Sequence, residues 1–94
     1  MKLSLLDDAK SDALEAIESF NQFAPELGEE FEHELFSCFD RIKRNPEHFA
    51  ENENGFRSAR LKRFQAVVSF KLHRSTIFVT RDLVNGRDNV GRGR

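Results

Sequence analysis

Four cations, Arg57, Arg60, Lys62 and Arg63, fall within one short stretch, and Arg81 and Arg87 follow them. Guanidinium and ammonium groups at that density suit an acidic partner, either an acidic protein segment or nucleic acid. The charge distribution points the same way. Residues 1–56 carry 5 Lys and Arg against 14 Asp and Glu, and residues 57–94 carry 10 against 2, so a net charge of −1 hides an acidic front and a basic back. The competing use of the same cations is internal, as surface pairs between the two halves or as a solvated strand end. Other chemistry is thinner. Glu29 and His33 are four apart on a helix, a spacing that can share a metal. His33, however, lies two residues from both Phe31 and Leu35, about 200° around the helix from each, and is expected in solvent. His48 and His73 are expected in a loop and a turn. Cys38 adjoins an apolar stripe and is expected to be a buried structural thiol. With no Tyr in the chain, one possible general acid or base is missing. The chain has neither a glycine-rich phosphate loop nor a serine nucleophile elbow. No cofactor and no metal are expected.

These side chains need elements to hold them. Residues 64–72 alternate, with Phe64, Ala66, Val68, Phe70 and Leu72 on one side and Gln65, Val67, Ser69 and Lys71 on the other. That period of two is the pattern of a half-buried strand. Residues 75–83 form its hairpin partner across His73-Arg74, and residues 56–61 form the strand before it. At the front, residues 3–6 make a short strand. Asp7 or Asp8 then offers an N-cap, and Ala9, Ala13, Ala16, Ile17 and Phe20 mark the apolar side of a four-turn helix. Asn21 to Pro25 interrupts it, with Pro25 suited to the first turn of a second helix. Leu27, Phe31, Leu35, Cys38, Phe39 and Ile42 are that helix's apolar side, and Asn45-Pro46 ends it. The order is strand, helix, helix, strand, strand, strand. It predicts an α+β domain spanning residues 1–94, in which an N-terminal strand and an antiparallel helical hairpin precede a three-stranded antiparallel meander in one small sheet. The first strand adds at an edge or beside the last strand. Ten Phe without Trp or Tyr predict mostly core rings. One Cys allows no internal disulfide, and no apolar run is long enough for a signal peptide or a membrane span. A soluble, intracellular protein is expected, with a mobile tail over residues 89–94.

Five marks in this order resemble the ParE/RelE superfamily of toxins from type II toxin–antitoxin modules, also described as plasmid stabilisation proteins. They are Ala9 after the first strand, Pro25-Glu26-Leu27-Gly28 between the helices, Asn45-Pro46 closing the second, Leu61-Lys62-Arg63-Phe64 leading into the alternating strand, and Gly86-Arg87-Asp88 after the last. The likeness covers roughly residues 2–90, and the long helical hairpin and Arg-Phe entry are closer to the ParE branch. The chain departs from the family's habits at Gln65, where Pro is frequent, at Phe70, where Tyr is frequent, and at Val84, where His is frequent. Its closing segment is also poorer in aromatics and arginine.

The resemblance implies a bacterial, cytoplasmic toxin bound by a cognate antitoxin through Arg57, Arg60, Lys62, Arg63, Arg81 and Arg87. Its cellular target would be DNA gyrase, inhibited by binding. The alternative it implies is a RelE-like, ribosome-dependent mRNA endonuclease, in which Arg60, Lys62 and Arg87 would hold the charge that develops on phosphorus as a 2′-hydroxyl attacks. A third possibility is an inactive relative that binds only antitoxin. Val67, which replaces a strand arginine of the nucleases, and Phe70 favour binding over cleavage. The sequence leaves an oligomer open.

Overall fold

The computed structural model describes the backbone of residues 1–84 and the side chains of residues 1–82. Its elements are β1 (Lys2–Leu5), α1 (Asp7–Phe23), α2 (Leu27–Arg44), a 3-10 turn (Pro46–His48), β2 (Arg57–Arg60), β3 (Ala66–His73) and β4 (Thr76–Val84). The strands form one mixed sheet in the order β1-β4-β3-β2. β2, β3 and β4 are the expected antiparallel meander, and β1 lies beside β4 and runs parallel to it. The fold is α+β, with the helical hairpin packed on one sheet face. Ala9, Ala13 and Ala16 of α1 are buried, and so are Phe31, Leu35, Cys38, Phe39 and Ile42 of α2. They meet Ala59, Leu61, Ala66, Val68, Phe70, Ile77 and Val79 from the sheet side. The alanine stripe lets α1 lie close on β4, while α2 fills the remaining space with larger side chains.

Several boundaries differ from the sequence reading, each for a local reason. The N-cap of α1 is Leu6, not Asp7 or Asp8, and it makes no side-chain cap bond. The Leu6 amide donates to Val79 O at 3.0 Å, so strand passes directly into helix. Asp7 and Asp8 lie in the first turn instead, where their charge suits the helix dipole. Asn21 does not stop α1, which continues to Phe23. The Asn21 Oδ1 instead accepts the Gly28 amide at 3.0 Å, so an α1 side chain caps the start of α2. Pro25 precedes α2 rather than opening it. The Leu27 amide donates to Ala24 O at 3.1 Å, and Glu26 has φ −95° and ψ −7°, so Pro25 occupies the second position of a type I turn, where its fixed φ fits. The β3–β4 turn is Arg74-Ser75, one residue later than expected, because His73 still pairs with Thr76. Phe64 and Gln65 precede β3, which begins at Ala66.

The helices approach each other closely at Gly28. A Cβ there would collide with Asn21 Oδ1 and lie 2.7 Å from Ile17 O. The carbonyl cannot swing away without disturbing α1. Gly28→Ala is therefore expected to cost about 1–3 kcal/mol as overpacking, seen as a lower urea midpoint with unchanged slope. An unchanged midpoint would show that the hairpin opens freely at this point.

Candidate functional site: the turn between β2 and β3

Leu61-Lys62-Arg63-Phe64 is too short and too polar to be a strand, yet it is fixed from three sides. Leu61 is buried. Glu34 of α2 accepts the amides of Lys62 and Arg63 on one carboxylate oxygen, at 3.0 and 3.2 Å. The Arg63 guanidinium donates to Glu30 at 2.6 Å, and Arg41 donates to Arg60 O at 2.7 Å. Below the turn, the Phe64 ring packs against Phe20 and Phe31, with centroids 5.1 and 5.3 Å away. The turn is thus strapped to α2 by polar bonds and to both helices by one ring.

The six expected binding cations do not make one surface. Arg57 is half-buried and serves the fold, donating to Phe49 O at 2.7 Å and reaching Glu51 at 3.4 Å. Arg63 is committed to Glu30. Arg81 makes a two-pronged contact with Asp12, through Nε at 2.8 Å and Nη2 at 3.1 Å. That contact holds its proton more firmly still, through the hydrogen bond first and the Asp12 charge second. These three realise the internal pairing between acidic and basic halves. Arg60 and Lys62 are different. Both are exposed, and neither side chain has an ion pair or hydrogen bond among the described residues. Arg87 lies outside the described residues, as does the expected mobile tail.

The structure adds two cations from the last turn of α2. Arg41 and Arg44 line a cleft of about 350 Å³ together with Lys62, Glu34, Ser37 and Asp40. Their spacing of three along α2 was the available signal, since it places both on one side of the helix. The exposed cationic site is therefore Arg60 and Lys62 at the turn, with Arg44 beside Lys62 and Arg41, half-buried on Arg60 O, below them. Next to it along α2 lies an acidic cleft of about 530 Å³, lined by Glu26, Glu29, Glu30, His33, Glu34, Ser37 and Arg63.

The two sheet positions read as unfavourable to cleavage separate here. Val67 is half-buried and sits opposite Arg60, beside the cations. Phe70 is wholly buried and packs edge-on against Phe49 at 5.8 Å. It faces the core and has no bearing on surface chemistry. Cys38 is buried as expected, and loss of hydration pushes its thiol up to about 11, so it is inert near neutral pH. Two rings leave the expected core. Phe23 at the end of α1 and Phe36 on α2 are 75% and 56% exposed. Phe36 follows Leu35 directly, about 100° off the apolar stripe. No helix is long and apolar enough to cross a membrane among the described residues.

No protein-family model and no curated protein matches the chain. Among solved structures, one described as "Chromosomal ParDE TA system from P. aeruginosa" is similar over 89% of this chain and 95% of that chain. The TM-score is 0.79 and the sequence identity 17%. The two share a fold.

Proposed function

We propose that the protein is a ParE-like toxin of a type II toxin–antitoxin module, held inactive by a cognate antitoxin and acting in the bacterial cytoplasm by binding DNA gyrase. The observation that carries this reading is the likeness of fold to a ParDE-system chain over nearly the full length of both. The exposed cations support it. Arg60, Lys62 and Arg44 offer exposed charge, which suits docking to an acidic surface. Arg87, reached through the resemblance, belongs to the same proposed surface. The antitoxin would supply the acidic, partly disordered segment that such a surface accepts.

One observation favours the RelE-like alternative: Arg60 and Lys62, two of its three candidate cations, are free to meet a phosphate. A supercoiling assay separates the readings. Purified protein is expected to block gyrase at micromolar concentration and to lose that effect on addition of the antitoxin from the neighbouring gene. Normal supercoiling together with cut messages in a translating extract would replace gyrase by the ribosome as the target. Neither effect, with antitoxin still bound, would leave a relative that binds without poisoning.

A further inference from the structure

β4 contains one residue too many for its ladder. Ser69 pairs with Arg81, but its neighbour Phe70 pairs with Val79, so Thr80 is an extra residue. Its hydroxyl donates to Ser69 O at 3.0 Å and fixes the bulge. The bulge reverses which side chains face inward. Ile77 and Val79 point into the core, and simple alternation would send Arg81 after them. Arg81 turns out instead, and Asp82 turns in. Asp82 is 2% exposed, and neither carboxylate oxygen has a hydrogen-bond partner among the described residues. Buried polar groups almost always have partners, and a buried unpaired charge is costly.

Among the described residues, nothing supplies a counter-charge to Asp82. From α1 comes Asp12, which accepts the Asp82 amide at 3.0 Å. From α2 comes the Cys38 thiol, which feels Asp82, Arg41 and Glu34. β3 presents Val68 opposite. The nearest cation on the strand is Arg81, which is engaged by Asp12, with Asp8 adding to its field. Arg87 and Asp88 follow in the sequence. On its β1 side, β4 has no strand partner beyond Val79 among the described residues, because β1 pairs only as far as that residue. The end of β4 is held there by the Asp12 bond.

We propose that Asp82 is a proton-operated latch on the end of β4. With its carboxyl neutral, the strand end stays seated under α1 and α2. When it ionises, the side chain leaves the interior, and the bond from the Asp82 amide to Asp12 is lost. Desolvation first, and the Asp12 charge second, raise the Asp82 carboxyl to about 7, against roughly 4 in an unfolded chain. The folded state therefore holds more protons between those values. The stabilisation is complete below about pH 4 and is lost as pH rises through about 7. The latch lies across the sheet from the cationic turn, since Val84 pairs with Ala66, and Leu83 pairs with Val67, the partner of Arg60.

The test is thermal unfolding of the full chain between pH 5 and pH 8, beside Asp82→Asn, with amide exchange at residue 82. The wild-type melting temperature is expected to fall by at least about 5 °C across that range and the Asp82 amide to lose protection, while Asp82→Asn stays flat. A variant that keeps the wild-type slope overturns the latch. So does a wild-type curve that is itself flat, which would mean that a cation holds the carboxylate ionised throughout. Should the variant fail to fold, carboxyl NMR of the wild type decides: a shift that titrates near pH 7 together with the loss of protection supports the latch, and a constant shift overturns it.

Discussion

Phe31→Ala is expected to destabilise the chain by about 3–5 kcal/mol, lowering the melting temperature by roughly 15–30 °C for a domain of this size. Phe31 has no exposed surface, and its ring joins the two helices to the strapped turn. It lies 5.1 Å from Phe20 on α1 and 5.3 Å from Phe64 below Arg63. Removing it leaves a cavity that three separate elements would have to close at once. Two of them are fixed elsewhere, α1 by Asn21 on Gly28 and the turn by Glu34. Thermal unfolding followed by circular dichroism measures the effect. A melting temperature within about 5 °C of wild type, near 1 kcal/mol, would show that the Phe cluster does not hold the hairpin to the turn.

The second large effect is on function and leaves stability intact. Under the proposed gyrase-binding function, Arg60→Glu together with Lys62→Glu is expected to weaken inhibition at least tenfold, about 1.4 kcal/mol of binding. The same double variant should change stability by no more than about 0.5 kcal/mol, since both side chains are exposed and unpaired among the described residues. Arg63→Glu is the internal control. It sets a carboxylate against Glu30 in place of a 2.6 Å ion pair and should affect folding more than inhibition. Full inhibition by the Arg60/Lys62 variant would move the target-binding surface away from the turn.

Most of the fold was legible because its signals are local. The stripe from Leu27 to Ile42 and the alternation from Ala66 to Leu72 each repeat often enough to define an element and its buried side. Boundaries failed where a residue serves a distant partner. Asn21 reads as a helix stop but caps α2 through Gly28. Phe64 continues the alternation in print, yet it belongs to a turn whose shape is set by Glu34, thirty residues earlier. The binding cations were hardest to sort. Arg57, Arg60, Lys62, Arg63 and Arg81 are equivalent as charges, and only the positions of Glu51, Glu30 and Asp12 decide which are spent internally. Asp82 was invisible for a related reason. A single extra residue at Thr80 reverses the inward face, and no composition rule announces a bulge.

β1 is made before the other described elements, and it is the last of them that can find its place. Leu3 pairs with Ile77 and Leu5 with Val79, so the ladder joins residues 74 apart in sequence. Such a contact carries a large loop-closure cost and slows folding. On a ribosome, the N-terminal strand must wait until β4 has emerged. The helical hairpin and the β2–β3 pair can assemble earlier from nearer neighbours, but the four-stranded sheet cannot form before β4 is made. A truncated product lacking β4 would have no partner for β1 and no Val79 carbonyl to receive the Leu6 amide. The topology therefore makes completion of this sheet wait on the synthesis of β4.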